Sequence, residues 1–191
     1  MTNDLAGMIR GDVAVAALVL ADLKKSGITE SDEIKKLGLE ALTAERTAAL
    51  TGSNFFRVPS YAIPYFGIDR KPMTYQAPSG KLLPYVRFKL LGGIKSKDAK
   101  VIKYTQPSGS GIHLYLPPLV DWAAVAKDPK RKILITEGEK KSIAAILHLG
   151  IPTIGTGGVW SFKTPDLNGF VWKDRDVEIA YDGDPAAEDC L

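Results

Sequence analysis

The stretch of sequence that decides the fold is Ile133-Leu134-Ile135-Thr136-Glu137-Gly138-Glu139-Lys140-Lys141. An apolar, β-branched run stops abruptly at Glu-Gly-Glu, and apolar residues at helical spacing follow it. This pattern predicts a buried strand over residues 132–136 and a helix over residues 140–149. Glu137 then stands at the carboxyl end of the strand, the edge at which open α/β sheets bind ligands.

A second strand is predicted over residues 177–181, and it ends in the same way. It leads into Asp182-Gly183-Asp184, whose two carboxylates project to one side if the backbone stays extended. At neighbouring strand ends these carboxylates and Glu137 would repel one another unless a divalent cation lay among them. Oxygen ligands favour magnesium or manganese over zinc or copper. The residues therefore predict a Mg²⁺ or Mn²⁺ site at Glu137, Asp182 and Asp184.

Each of these residues also has a structural interpretation. Acidic residues are favoured in the first turn of a helix, which would account for Glu137, and Asp-Gly is a common turn dipeptide. Exposure at the start of the helix explains Glu139 as well as a supporting role at the site does. Lys140 and Lys141 either contact phosphate where the helix opens or belong to a solvated face. The combination of Glu137 with the aspartate pair favours the metal site.

The carboxy-terminal part of the chain alternates between strand and helix. A further strand is predicted over residues 152–154, and this alternation is typical of a parallel sheet with crossover helices. The glycines that follow, Gly155, Gly157 and Gly158, either meet the conformational requirement of a tight loop or let that loop approach a phosphate backbone, and we favour the conformational interpretation. His113 lies upstream in an apolar run, and we expect it to be structural.

Residues 1–54 are predicted to form a small helical leader. Asp12 can cap a helix that Gly27 ends. Thr29 and Asp32 resemble a capping box that opens a second helix, and Thr43 opens a third.

Residues 55–120 are predicted to form a basic, β-rich region, because short aromatic and β-branched runs alternate with prolines and glycine pairs. The predicted strands cover residues 62–68, 85–90, 100–105 and 113–116. Seven cations face a single anion, Asp98, in the middle of this region. They are Lys81, Arg87, Lys89, Lys95, Lys97, Lys100 and Lys103. This charge predicts contact with a nucleic-acid backbone, and we expect Lys89, Lys95 and Lys97 to bind phosphates.

The composition excludes several classes of protein. The 191 residues are 45% hydrophobic and 25% charged, as in an ordinary globular chain. The longest apolar run, residues 13–21, lies between Asp12 and Asp22 and is shorter than the about 20 residues that a membrane span needs. Cys190 is the only cysteine, which excludes an intramolecular disulfide and a four-cysteine zinc site. We expect a cytoplasmic protein with no membrane partner.

The pattern of Glu137 and Asp182-Gly183-Asp184 resembles the Toprim domain, the catalytic fold shared by bacterial-type primases, topoisomerases and some nucleases. Three segments, 109–118, 135–141 and 155–160, resemble more narrowly the DUF3854, Toprim-like domain of phage and plasmid primase-helicase proteins. The resemblance implies an α/β fold with a Toprim-like, Rossmann-like parallel sheet over residues 121–191. A Toprim sheet continues beyond its Asp-x-Asp, and this sequence stops at Leu191, so we expect that sheet to be incomplete on its far side.

The same resemblance implies a function. We expect a primase-like replication protein of a phage, plasmid or other mobile element, which transfers nucleotides on single-stranded DNA with the help of the metal. Glu137 would act as ligand or as proton acceptor, and Lys140 and Lys141 would offset phosphate charge. A helicase or ATPase, as a domain or a separate protein, is the implied partner. A Toprim-type nuclease and a non-catalytic nucleic-acid-binding or recruitment module are the alternatives.

Overall fold

The computed structural model of the protein describes residues 8–158, 161 and 164–181. Within this range the chain forms two compact units. The first comprises residues 8–65 and 72–111, and the second comprises residues 66–71 and 112–181. The first unit thus joins most of the predicted β-rich region to the predicted helical leader.

Three α-helices lie within the described residues of the first unit: α1 (Val13–Lys24), α2 (Ser31–Leu37) and α3 (Ala44–Thr51). The predicted caps of α1 and α3 are confirmed, since Asp12 accepts a hydrogen bond from the Val15 amide and Thr43 accepts one from the Arg46 amide. The capping box predicted at Thr29 and Asp32 is wrong. Glu30 occupies the cap position of α2 and makes no capping hydrogen bond. The physical reason is that Thr29 lies one residue too early to reach the first turn.

The strands of the first unit form a five-stranded sheet and a separate hairpin. The sheet has the order β1 (Arg10–Gly11), β2 (Glu40–Leu42), β3 (Ser60–Pro64), β6 (Val86–Lys95) and β7 (Val101–Thr105). The hairpin pairs β4 (Thr74–Gln76) with β5 (Leu82–Pro84). Strands β1 and β2 are parallel, and the other neighbours are antiparallel. Because β1 and β2 belong to the predicted leader, this segment takes part in the sheet and is more than a set of helices.

The predicted strands differ from the observed ones mainly at glycines and prolines. Strand β3 ends at Pro64, before the end predicted at residue 68. Strand β6 continues to Lys95 past Gly92 and Gly93, where its pairing with β7 shifts register. Both glycines have positive φ, and a Cβ at Gly93 would lie 2.7 Å from Cγ1 of Val101. The glycine pair therefore forms a bulge within the strand, where the sequence pattern indicated a turn.

Helices cover both faces of the five-stranded sheet. Helix α1 packs on β3 and β6, and the buried Tyr61 hydroxyl donates a 2.9 Å hydrogen bond to Asp22 of α1. A hydroxyl pair at 2.7 Å joins Thr47 of α3 to Ser60 of β3. The sheet is thus held between helices.

The second unit is built on a three-stranded parallel sheet. Its strands are β8 (Ile133–Glu137), β9 (Thr153–Thr156) and β10 (Val177–Ala180), in the order β10-β8-β9. Helix α4 (Trp122–Lys127) precedes β8, and helix α5 (Glu139–Leu149) connects β8 to β9. The α/β fold class, the parallel sheet and the crossover helix predicted from the sequence are confirmed.

The core of this unit lies around Trp122, Phe170 and the isoleucines of β8 and β9. The strand predicted over residues 113–116 is wrong, because only Tyr115 pairs there, in an isolated antiparallel bridge to Gly155 of β9.

Arg175 joins several segments of this unit through hydrogen bonds. Its guanidinium donates hydrogen bonds to the carbonyls of Val125, Ala126, Arg131 and Val171. Across the described part of the chain, no helix has the length and apolar character that crossing a membrane requires.

Candidate active site at the carboxyl edge of the parallel sheet

Glu137 lies at the carboxyl edge of the parallel sheet, as predicted. Strand β8 ends at Glu137, Gly138 turns the backbone with φ of 87°, and α5 begins at the next residue. Strand β10 runs parallel to β8, and its last residue, Ala180, is paired with Thr136. Glu137 and Tyr181 therefore leave their strands side by side. The predicted parallel pairing of these two strands is confirmed. Asp182 and Asp184, which come after Tyr181, lie outside the described part of the chain.

Hydroxyl groups tie the three strand ends together. Thr136 Oγ1 donates to the carbonyl of Ala180 at 2.8 Å, which joins β8 to β10. Thr156 Oγ1 on β9 lies 3.3 Å from the carbonyl of Thr136 and 3.5 Å from the hydroxyl of Tyr181. The Gly138 amide donates to the carbonyl of Thr156 at 2.7 Å. The edge that carries Glu137 is therefore fixed by side chains as well as by the β ladder.

Tyr181 shares the electrostatic environment of Glu137. Burial raises the pKa of the Tyr181 phenol above its ordinary value. The hydrogen bond from Thr156 lowers this pKa, whereas the negative charge of Glu137 adds to the increase. The phenol thus stays protonated near neutral pH.

Glu139 is buried, with 1% of its surface exposed, so its interpretation as a solvated helix-start residue is wrong. It shares the buried face of α5 with Ser142 and Ile143. Burial raises the pKa of the fully buried Tyr115, and the charge of Glu139 raises it further. The spacing of Glu139 from Ile143, one helical turn, is the sequence signal for this burial.

Gly155 allows the segments around the site to approach closely. A Cβ at this position would lie 2.8 Å from Ser142 Oγ, 3.0 Å from the Gly138 carbonyl oxygen and 3.3 Å from Tyr115 Cβ. The glycine is thus required by packing.

The predicted phosphate-binding lysines fall into two groups. On α5, Lys140 is half-buried and Lys141 is exposed. In the first unit, Lys95 and Lys97 are exposed around the β6–β7 turn. Lys89 differs from them, because it is only 8% exposed and its ammonium lies 4.7 Å from the centre of the Tyr104 ring.

His113 has an acidic partner that sequence spacing did not reveal. Its Nδ1 lies 3.2 Å from Oδ2 of Asp166, and the same oxygen accepts the Leu114 amide at 2.9 Å. Burial tends to raise the pKa of Asp166, but the hydrogen bonds from His113 and Leu114 outweigh it and hold the pKa below its ordinary value. The two residues lie 53 positions apart in the sequence, so only the folded chain shows the pair.

The described residues contain no group of three or more His, Cys, Asp or Glu side chains arranged to hold a metal. Of the three predicted ligands, Glu137 is the one whose position is described. Its carboxylate oxygens suit a hard cation such as Mg²⁺, and it lies beside the strand that leads to Asp182. The donor set predicted for the metal is therefore chemically suitable.

One family model matches the carboxy-terminal part of the chain. Residues 121–189 match the model of a domain of unknown function, DUF3854. No curated protein matches the sequence.

Solved primase structures share the fold. The chain is similar to a DnaG primase catalytic domain bound to single-stranded DNA, with 17% identity and a TM-score of 0.54. It is also similar to the DnaG catalytic core, with 18% identity and a TM-score of 0.55, and to the E. coli primase catalytic core, with 17% and 0.52. These alignments cover 92% of this chain and 57–58% of the primase chains, so the chain spans less than two thirds of their length. Residues 121–189 thus match the DUF3854 domain, and the chain has the α/β fold of the DnaG catalytic cores, which confirms its resemblance to a Toprim-like domain.

Proposed function

We propose that this protein is a primase-like replication protein that transfers nucleotides on single-stranded DNA in a metal-dependent reaction. One observation carries the proposal. Glu137 lies at the carboxyl edge of the parallel sheet, beside the strand that leads into Asp182-Gly183-Asp184, in a chain with the fold of DnaG catalytic cores. This is the edge at which open α/β sheets bind their ligands.

Glu137, Asp182 and Asp184 would hold one or two Mg²⁺ or Mn²⁺ ions. Such ions supply positive charge that neutralises the phosphates of an incoming nucleotide. Glu137 would serve as a ligand or accept the proton of the attacking 3′ hydroxyl. Lys140 and Lys141, at the start of α5, would offset phosphate charge that remains.

The first unit would bind the DNA strand through exposed lysines of the β6–β7 hairpin. We call Lys95, Lys97, Lys100 and Lys103 the hairpin lysines; all four side chains are exposed. Lys89 would support this DNA-binding surface without itself contacting phosphate, because its ammonium packs over the Tyr104 ring at 4.7 Å. The Arg87 guanidinium packs over the same ring at 5.2 Å. One structure with this fold, a DnaG primase catalytic domain, is bound to single-stranded DNA, which supports this choice of partner.

The biological setting is part of the proposal. We place the protein in the replication of a phage, plasmid or other mobile element, together with a helicase or ATPase. This setting rests on the resemblance of segments 109–118, 135–141 and 155–160 to the DUF3854 domain of phage and plasmid primase-helicase proteins. A helicase partner would be identified by co-purification with the replication proteins of the same element.

A direct assay tests the proposed reaction. The purified chain, and a version extended beyond Leu191, are incubated with single-stranded DNA, labelled nucleotides and Mg²⁺. Mg²⁺-dependent extension of labelled product supports nucleotidyl transfer. Cleavage of the DNA would instead identify a nuclease, and binding without turnover would identify a recruitment module.

A second experiment tests the metal ligands by replacing Asp182 and Asp184 together by asparagine. This change removes two negative charges and keeps side-chain size, so it should abolish Mg²⁺-dependent turnover and leave metal-free DNA binding equal or tighter. Full Mg²⁺-dependent activity in this variant would place the active site elsewhere.

A further inference from the structure

Thr156, Glu137 and Tyr181 lie in one row across the three strands of the parallel sheet. Thr156 of β9 is the register partner of Glu137 of β8. Tyr181 follows Ala180, which pairs with Thr136, so it stands beside Glu137 on the other side. Register neighbours in parallel strands project to the same face of a sheet. The side chain of Glu137 therefore emerges between those of Thr156 and Tyr181.

The two flanking side chains meet across the central strand. Strands β9 and β10 are separated by β8, which corresponds to two strand spacings, or about 10 Å. Nevertheless Thr156 Oγ1 lies 3.5 Å from the Tyr181 hydroxyl. The phenol must therefore extend over the end of β8, at the level where Glu137 leaves the strand.

Thr156 provides a fixed anchor for this arrangement. Its side chain is buried, and its hydroxyl is also held by the carbonyl of Thr136 at 3.3 Å. The phenol of Tyr181 is both a donor and an acceptor of hydrogen bonds. The phenol and the Thr156 hydroxyl thus meet across the strand end from which the Glu137 side chain leaves.

We infer that Tyr181 is a positioning residue for Glu137: anchored by Thr156, its phenol confines the Glu137 carboxylate to the carboxyl edge of the sheet. The catalytic consequence of this inference rests on the proposed function, whereas the arrangement of these three side chains does not. Partners that orient a metal-binding or reacting side chain typically change metal affinity or activity by about 10- to 100-fold when they are removed.

The first test uses the intact chain and needs no activity. Protein labelled with ¹³C at the glutamate side-chain carboxyl carbon gives one signal for Glu137, which is assigned by its loss in Glu137→Gln. At one fixed pH, Tyr181→Phe and Thr156→Val should displace or broaden this signal, and Thr156→Ser should preserve it. Tyr75→Phe, a tyrosine change in the first unit, is the matched control and should have no effect. A Glu137 signal that is unchanged in Tyr181→Phe overturns the inference.

The second test measures turnover and DNA affinity in the same variants. Tyr181→Phe should lower Mg²⁺-dependent turnover by about 10- to 100-fold with unchanged affinity for single-stranded DNA, and Thr156→Ser should retain turnover. Loss of DNA affinity together with turnover would show a general structural defect and contradict positioning. If the unmodified chain has no turnover, the proposed function fails, while the carboxyl signal still decides whether Tyr181 positions Glu137.

Discussion

Asp166 binds two neighbouring groups with one carboxylate: it pairs with His113 Nδ1 at 3.2 Å and accepts the Leu114 amide at 2.9 Å. This contact fastens residues 113–114 to the 3₁₀ helix Pro165–Gly169. Leu114 belongs to the core of the second unit. The carboxylate therefore holds a core residue in place from outside the sheet.

We expect Asp166→Asn to destabilise the second unit by about 1–2 kcal/mol at neutral pH, because a charge-assisted hydrogen bond is lost. The pKa of Asp166 is lowered in the folded protein, so its contribution is present above the ordinary pKa of 3.8 and is lost as the pH falls through the lower folded value. Urea unfolding at several pH values measures this. The difference between the two proteins should shrink below about pH 4, and a constant difference would contradict the prediction.

Gly155→Ala should destabilise the second unit by about 1–3 kcal/mol, the usual cost of overpacking a tight core. The new Cβ would meet Ser142 Oγ at 2.8 Å and the Gly138 carbonyl at 3.0 Å. The double change with Ser142→Ala removes the nearer of these contacts and should recover part of the loss. Thermal unfolding of the single and double variants measures the coupling, and strictly additive effects would show that the Ser142 contact is unimportant.

Arg175→Lys should lower the melting temperature even though it keeps the positive charge. Lysine cannot reach the carbonyls of Val125, Ala126, Arg131 and Val171 at once. Leaving buried carbonyls without a donor costs about 1–3 kcal/mol each, so we expect a loss of at least about 2 kcal/mol. Arg131→Lys, at an exposed position, is the matched control and should change little. Equal effects of the two changes would refute the anchoring role.

The hairpin lysines should set the salt dependence of DNA binding. Each phosphate contact to a single strand contributes about 0.7 to the slope of log affinity against log salt. Lys95→Gln with Lys97→Gln should therefore reduce this slope by about 1.4 and weaken binding at low salt. Lys24→Gln with Lys25→Gln, at the end of α1, is the control. Fluorescence anisotropy at several salt concentrations gives both slopes, and an unchanged slope in the hairpin variant would show that these lysines are only solvated.

Local sequence pattern was sufficient for the central elements of the second unit. The change from an apolar run to Glu-Gly-Glu and then to helical spacing predicted β8, α5 and the edge position of Glu137, because all three depend on neighbouring residues. The same holds for the caps at Asp12 and Thr43.

Features that depend on residues far apart in the chain could not be predicted from the sequence. Strands β1 and β2 have two and three residues, too few to show an alternation. The burial of Lys89 depends on Tyr104 of the neighbouring strand. The contact between Thr156 and Tyr181 depends on the strand order β10-β8-β9, which no local pattern specifies.

The strand order also has a consequence for synthesis of the protein. Thr136 and the Ala180 carbonyl that it binds lie 44 residues apart, so a ribosome releases β8 and β9 well before β10. Domains generally fold as units during synthesis, from the amino-terminal side. A nascent chain that lacks residues 177–181 carries Glu137 with only one of its two flanking side chains. Assembly of the site is therefore delayed until the last described strand has emerged and docked.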